Sequence, residues 1–266
     1  PLLTLQALRF IGRRERTAMA AEVVSVESIV MLMGVAPFLE RFGSLPTAES
    51  MLQNKPQAYA DFLQQVFLAR FSARLAQIYA DMRYDARIDE ITIAALLSRS
   101  NQLLQVVGRQ ADVAMPAPDA TLVAMLQQMQ LASPIVALLD VRAEAPARVV
   151  LHGATLRLAE AMQTGWWQAG VQRELALIAD LLEVEEEDIW QVLCRTALSF
   201  ARDPSALPGL MQPARWLAML PGDWPRPQAE APAQANPPEA KVDPLHLHLQ
   251  ALQAAAHLRG GQMHRL

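Results

Sequence analysis

The sequence contains few of the residues that build disulfides, metal sites or phosphate-binding loops. Cys194 is the one cysteine, so no disulfide can form within the chain, and we expect a reducing, cytoplasmic compartment. Glycine-rich loops with phosphate-binding spacings are absent. The five histidines are scattered, and none stands beside an aspartate. We therefore expect neither a bound metal nor another cofactor.

Positive charge is also scarce. The chain has 23 Lys and Arg residues against 27 Asp and Glu residues, which gives a net charge of -4. Sequence-independent binding to nucleic acid needs a concentrated positive surface that displaces counterions from phosphates. We therefore expect no nucleic-acid partner.

Uninterrupted apolar runs are missing as well. Residues 120–139 carry no charge over a length that could span a bilayer, but glutamines, a serine and Pro134 interrupt them. We expect two soluble helices there and no membrane partner. The chain begins at Pro1 with a helical pattern already present at Leu2, so we expect neither a signal peptide nor a natural start but a fragment of a longer protein.

Strand-like alternation is rare, and the apolar period is close to 3.6 residues almost everywhere, so the sequence predicts an all-α fold. At 52% hydrophobic residues a sizeable core is expected. The clearest helix covers residues 59–82, with apolar side chains on one face and charged ones on the other. Caps and stops predict further helices at 2–11, 26–33, 37–42, 90–107 (capped by Asp89), 120–129 (capped by Asp119), from 133, at 146–164, 169–182 and 185–201.

The composition divides the chain into three parts. Residues 1–220 form the predicted helical domain. Residues 221–243 alternate proline with Ala, Gln and Glu, which predicts an extended linker. In residues 244–266, Leu245, Leu249, Leu252 and Ala256 share one helical face. Because isolated short helices are marginal in water, this segment is either the start of a further domain or a docking helix.

Two side chains could be considered for catalysis. His152 lies within an apolar helix, where a hydrogen-bonded, partly buried histidine is more common than a catalytic one. Cys194 shares a helical face with Trp190 and Ala197, so we expect it to face the core as an inert thiol. Four acidic residues, Asp81, Asp85, Asp89 and Glu90, alternate with Arg83 and Arg87 around the junction of two helices. We interpret them as caps and exposed ion pairs rather than as a carboxylate pair.

Two clusters could contact a partner. Arg13, Arg14 and Arg16 form a basic cluster whose simpler interpretation is a solvated turn after the first helix. Trp166 and Trp167 are adjacent indoles after a helix stop, and indoles are enriched at interfaces. Core packing is the favoured interpretation of this pair, and a partner surface is the alternative.

The order of the segments resembles the HDOD family, the HD-related output domains of bacterial signalling proteins. Residues 1–10, PLLTLQALRF, look like the family's DPxLtxxLLR helix, and residues 24–34, VSVESIVMLMG, are similar to its SVxxAIxLLG segment. The long helix with LARFSA at 68–73 follows, and residues 90–97 resemble DEAFLAGLL. The resemblance extends more loosely to about residue 200, and it implies an all-α HD-like bundle.

Catalytic HD proteins hold metal with a histidine on the long helix and a His-Asp pair after the next helix's Leu-Leu. By this resemblance the corresponding residues here are Phe71, Ser98 and Arg99. Phenylalanine cannot ligate a metal, and arginine brings a fixed positive charge. The resemblance therefore implies a chain that is not an enzyme. Near Gly12 to Arg16 the sequence departs from the family's Asn-Ser turn.

The leading hypothesis is a non-catalytic regulatory and protein-interaction module in bacterial signal transduction. In the family, such modules accompany receiver, cyclic-dinucleotide or sensor domains, so other signalling domains or proteins are the expected partners. Two alternatives stay open. One is a degenerate metal-dependent phosphohydrolase, and the other is a sensor that binds a nucleotide or an apolar small ligand between its helices. The sequence leaves the partner's identity and the oligomeric state open.

Overall fold

The chain folds as an all-α bundle, as its periodicity predicts. The computed structural model describes residues 1–14, 26–111, 121–140 and 144–202, and every regular element within these ranges is a helix. In chain order the helices are α1 (Leu2–Arg14), α2 (Val26–Met33), α3 (Val35–Phe42), α4 (Ala48–Leu52), α5 (Pro56–Met82), α6 (Ile88–Leu97), α7 (Ser100–Ala111), α8 (Leu122–Gln128), α9 (Ser133–Leu139), α10 (Ala147–Ala161), α11 (Ala169–Leu182) and α12 (Glu186–Ala201).

Helix α5 is the centre of the bundle and is buried on several sides. Three small side chains, Ala73, Ala76 and Ala80, recur at helical spacing and let neighbouring helices approach closely. Phe71 and Tyr79 enter a second cluster on another side. The expectation of a single apolar face for this helix was therefore wrong, because a central helix must be apolar nearly all round.

Among the residues that the structure describes, three hydrophobic clusters surround α5. In the first cluster, the three alanines of α5 pack with side chains of α1, α2, α3, α6, α8 and α9. The second joins its aromatic side to α10, α11 and α12. The third is smaller and packs Phe62 against Leu52 of α4 and Leu103 of α7. The bundle therefore has one continuous scaffold helix with distinct sets of partners along and around it.

The structure has two helices where the sequence predicts one. The expected helix at 90–107 was wrong, because α6 ends at Leu97 and α7 begins at Ser100. The Ser98 amide donates to the Ala95 carbonyl at 3.2 Å, which tightens the last turn of α6. Asp89 lies in the first turn of α6 instead of capping it. Neither glycine nor proline marks the break.

Helix α4 was not expected. Its N-cap is Thr47, whose hydroxyl oxygen accepts a hydrogen bond from the Ser50 amide at 3.1 Å. A similar cap starts α8, where the Thr121 hydroxyl accepts from the Ala124 amide at 3.2 Å. The expected cap Asp119 lies outside the described residues, as do the linker at 221–243 and the segment at 244–266.

Gly12 allows α1 to approach the turn between α8 and α9. A Cβ atom at this position would overlap the backbone carbonyl oxygen of Gln130. Gln130 itself has a positive φ of 60°, and the Leu131 amide donates to the Leu126 carbonyl at 3.2 Å, which closes the end of α8. Within the described ranges, no helix is both long and apolar enough to cross a membrane.

Candidate functional site

Phe71 lies in the second hydrophobic cluster and is fully buried. Its ring stacks on Phe67 with centroids 6.0 Å apart and meets the edge of Phe200 at 5.6 Å. These contacts bring the end of α12 against α5. The position that the resemblance equates with a metal-binding histidine is thus occupied by an apolar side chain that packs helices together.

Ser98 and Arg99 lie in the short turn between α6 and α7. Arg99 makes two contacts with the carboxylate of Glu160 on α10, Nη1 to Oε1 at 3.2 Å and Nη2 to Oε2 at 3.0 Å. The Arg99 side chain is only 12% exposed, whereas that of Glu160 is 62% exposed. This pair fixes a positive charge at the position that the resemblance equates with a metal-binding aspartate.

The two positions have different surroundings. Phe71 belongs to the hydrophobic cluster that includes Leu158 and Ala159 of α10, and Arg99 contacts Glu160 of the same helix. The chain therefore has a packed aromatic ring at one of these positions and a neutralised guanidinium at the other.

Arg148 of α10 contacts the turn between α5 and α6 and the first turn of α6. Its Nε contacts Asp85 Oδ2 at 2.8 Å, its Nη1 contacts Glu90 Oε2 at 3.0 Å, and its Nη2 donates to the Arg87 carbonyl at 3.0 Å. The two carboxylate side chains are each 7% exposed. The expectation of exposed ion pairs here was wrong, because α10 covers the turn and buries the carboxylates.

The pKa of Asp85 is lowered despite its burial. Burial acts in the opposite direction, but the Arg87 amide donates to Oδ1 at 2.8 Å, and the Arg148 and Arg83 guanidinium groups favour the ionised form. Asp85 is therefore a carboxylate that is held charged by its partners. It has no proton to give at neutral pH, and its role is structural.

His152 is more buried than the sequence indicated. It is 1% exposed, and neither ring nitrogen has a hydrogen-bond partner in the described part of the chain. Burial and, to a smaller extent, the nearby Arg148 charge together lower the pKa of His152 to about 4. The ring borders a cavity of only about 10 Å³ between α5, α6 and α10, room for about one water molecule. It is a neutral core histidine with no space for a substrate.

Cys194 is half-buried against the second cluster. Burial raises the pKa of its thiol to about 11, and the Glu187 carboxylate acts in the same direction. The thiol is therefore protonated at neutral pH and is a poor nucleophile. The expectation of an inert, structural cysteine agrees with this environment.

The two adjacent tryptophans have different surroundings. Trp166 is 5% exposed and meets the edge of Trp190 with centroids 5.2 Å apart, so it belongs to the core. Trp167 is 50% exposed, and its ring lies against Gly165, whose φ is +130°. Core packing thus accounts for Trp166, and Trp167 is the member of the pair that reaches the surface.

A groove between α1 and α3 has a volume of about 670 Å³. We call it the α1–α3 groove. Its walls combine aromatic, aliphatic and charged side chains: Gln6, Arg9, Phe10, Met33, Pro37, Glu40, Arg41, Phe42 and Leu45. A volume of this size and a mixed lining are typical of ligand-binding clefts.

Two guanidinium groups lie in this groove without a carboxylate partner among the described residues. The Arg41 guanidinium carbon lies 4.0 Å from the centroid of the Phe10 ring, as in a cation–π contact. The Nε of Arg9 is buried and has no hydrogen-bond partner within the described ranges. The Phe10 ring meets the edge of Phe42 at 6.1 Å, which fixes its orientation. The groove therefore offers anion-binding groups beside apolar surface.

Large apolar side chains of α2 and α3 are exposed. Met31, Leu32, Val35 and Leu39 of α2 and α3 are 85%, 51%, 63% and 59% exposed. Val35 and Leu39 are four residues apart and therefore share one side of α3. We call these four residues the α2–α3 face. Large exposed apolar patches on a protein surface are typical of interaction sites.

Sequence reasoning missed the groove, although the apolar spacing within residues 35–42 was a signal for it. Of the basic cluster, Arg13 and Arg14 occupy the last turn of α1. Their side chains and Arg16 lie outside the described part of the structure. The described residues also contain no group of three or more His, Cys, Asp and Glu side chains arranged to hold a metal ion.

Comparison of the chain with protein-family models, curated proteins and solved structures identified no match.

Proposed function

We propose that this chain is a non-catalytic regulatory module that acts by binding another domain or protein in bacterial signal transduction, as the resemblance to the HDOD family implies. The observation that carries the proposal is the pairing of Arg99 with Glu160, at the position where a catalytic relative would hold a metal. A cytoplasmic location accompanies this proposal.

The chemistry of the side chains that are present disfavours hydrolysis. Metal-dependent phosphohydrolysis needs imidazole and carboxylate ligands that converge on one cation. Phe71 offers no lone pair, and its ring is required for packing against Phe67 and Phe200. A divalent cation beside Arg99 would also be repelled by the guanidinium. These features favour a structural use of the region over a catalytic one.

The exposed side chains of the α2–α3 face support a binding function. Met31 is 85% exposed and Val35 63% exposed, although the interior of the bundle is closely packed. Leaving such side chains in water costs free energy that burial against a partner recovers, about 25 cal/mol per Å². This surface supports an interaction module.

A second candidate function is a small-ligand sensor, and the α1–α3 groove favours it. Its volume of about 670 Å³ could hold a nucleotide, with Phe10 and Arg41 as the contacts for base and phosphate. Thermal unfolding across a panel of nucleotides tests this candidate. A ligand that binds only the folded state raises the Tm, and an unchanged Tm across the panel contradicts the sensor.

Turnover measurements test the leading proposal. The full chain would be incubated with Mn²⁺, Mg²⁺ or Fe²⁺ and with phosphodiester and nucleotide substrates. We expect no turnover above that of the metal ions alone. Turnover that requires both the chain and a divalent metal, and that a chelator abolishes, would overturn the proposal.

A further inference from the structure

We infer that the α1–α3 groove binds a small molecule with an oxyanion head and an apolar body, and that Arg9 and Arg41 hold the head between α1 and α3. The head is a phosphate or a carboxylate, because both present the acceptor oxygens that guanidinium groups recognise. The inference rests on the second candidate function, since it names the ligand class of a small-ligand sensor.

The free donors of the groove come from two helices. Arg9 of α1 is partly buried, and its Nε is shielded from solvent and has no hydrogen-bond partner within the described ranges. Arg41 of α3 lies over the Phe10 ring and makes no hydrogen bond to an oxygen of a described residue. Because arginine carries only donors and a buried donor without an acceptor is costly, both side chains favour a ligand rich in acceptor oxygens.

The charge of the lining favours an anion. Glu40 is the one acidic residue that lines the groove, so two guanidinium groups oppose one carboxylate. No ion pair joins Glu40 to Arg9 or Arg41 among the described residues. An amine or a metal cation would meet two like charges here, whereas an oxyanion would contact both arginines.

The apolar wall of the groove favours a ligand that is larger than an inorganic ion. Phe10, Met33 and Phe42 line the groove and pack against the first hydrophobic cluster, so they form a firm wall. The volume of about 670 Å³ lies within the range of about 300 to 1,000 Å³ that is typical of small-molecule sites. A bare phosphate ion would leave most of this volume unfilled and the wall in water.

Two matched pairs of probes test the inference with the full chain. Adenosine monophosphate is compared with adenosine, and indole-3-acetate with indole-3-acetamide, so that each pair differs in the charged head. By calorimetry we expect at least one anion to bind at least about tenfold more tightly than its neutral counterpart. The pair that shows this difference distinguishes a phosphate head from a carboxylate head. If neither anion binds at millimolar concentration, or if no anion binds more tightly than its neutral counterpart, the inference is overturned.

Matched variants locate the binding. We expect Arg9→Gln and Arg41→Gln each to weaken binding of the anion about fivefold or more. Glu40→Gln removes a like charge, so its affinity should equal or exceed that of the parent. Leu39→Gln, at a residue of α3 that is 59% exposed and does not line the groove, and Arg195→Gln on α12 are the controls and should leave affinity unchanged.

Circular dichroism would verify that the variants fold. Arg41 and Glu40 are both exposed, so their variants decide the question if Arg9→Gln does not fold. Unchanged affinity after Arg41→Gln, or a loss after Glu40→Gln as large as that after Arg41→Gln, would contradict recognition of an anion by this groove.

The arginine Nε–Hε signals in ¹⁵N NMR spectra report the contact itself. The anion should shift the signals of Arg9 and Arg41, which the two variants assign, and leave that of Arg195 in place. A ligand that shifts neither groove signal would bind elsewhere and would overturn the inference.

Failure of the inference and failure of the proposed functions have different signatures. Adenosine that raises the Tm as much as its monophosphate would keep the sensor and overturn the oxyanion site. Metal-dependent turnover would refute the non-catalytic module without changing the affinities of the four probes.

Discussion

Arg99 and Glu160 connect two helical segments that lie 61 residues apart in the sequence, through paired contacts of 3.2 Å and 3.0 Å. The pair fastens the turn between α6 and α7 to the end of α10. Because Arg99 is largely buried and Glu160 is mostly exposed, the contact is of intermediate strength, between a surface ion pair and a buried one. It gives Arg99 a structural use at the position where the HDOD resemblance points to a lost metal ligand.

A double-mutant cycle measures this pair. We expect Arg99→Gln and Glu160→Gln each to lower the free energy of unfolding by about 1 kcal/mol, with a coupling energy of about 0.5 to 1 kcal/mol. Urea unfolding of the four proteins provides the values. Strictly additive effects would show that the two side chains do not stabilise the fold together.

Arg148→Met should be more damaging than either change at the Arg99 pair. It removes the one cation that contacts both Asp85 and Glu90, each 7% exposed, and leaves only Arg83 at 3.9 Å from Asp85 and Arg87 at 3.4 Å from Glu90. The expected loss is about 2 kcal/mol. The pKa of Asp85 should rise at the same time, because Arg148 is one of the groups that lower it. Arg195→Met, on the exposed face of α12, is the control and should change stability by less than about 0.5 kcal/mol. Similar losses in both variants would contradict a buried network.

His152 predicts acid-sensitive stability. Its folded pKa of about 4 lies below the ordinary value of 6.5, so the unfolded chain binds more protons between these two pH values. Stability from this group is therefore fully present above pH 6.5 and is lost as the pH falls toward 4, by a total of about 3 kcal/mol. The pKa of Asp85 is also lowered, but that carboxylate acts at lower pH.

His152→Leu separates this contribution from other groups. The variant removes two unsatisfied ring nitrogens from the core, so it should be at least as stable as the parent at pH 7. Its stability should also decline less between pH 6.5 and 4. A parallel decline in parent and variant, measured by chemical unfolding at each pH, would show that His152 does not cause the acid sensitivity.

Gly165→Ala should destabilise the turn before α11. The φ of +130° is one that side chains rarely adopt, and a Cβ would overlap the Trp167 ring, so we expect a loss of about 2 kcal/mol. Gly170→Ala is the matched control, because its Cβ would lie 3.5 Å from the Ala161 Cβ in ordinary contact. The control should be neutral or slightly stabilising. A Tm that is equally lowered in both would contradict the strain at Gly165.

Local patterns predicted the elements whose signals lie within one helix. The helix α11, Ala169–Leu182, has the bounds that its periodicity indicated, and Glu185 precedes α12 as expected of an acidic first turn. The break between α6 and α7 had no such signal. It lacks glycine and proline, and its stabilising partner Glu160 comes from a distant part of the chain.

The candidate site depends on contacts between helices more strongly than the bounds of the helices do. Sequence spacing put His152 in an apolar helix, but its complete burial results from the packing of α10 against Ala76 and Ala80 of α5. The α1–α3 groove exists because Phe10 and Arg41, from two separate helices, come within 4.0 Å. Periodicity within each helix cannot predict such a meeting, because it depends on how the helices cross.

The most direct test is a titration of the full chain with Mn²⁺ in which the EPR signal of the free ion is measured. Because Phe71 and Arg99 occupy the positions equated with metal ligands, we predict that the free-ion signal stays the same with and without the chain. A stoichiometric loss of that signal would contradict the account, and most directly if Arg99→Gln altered the affinity for the ion.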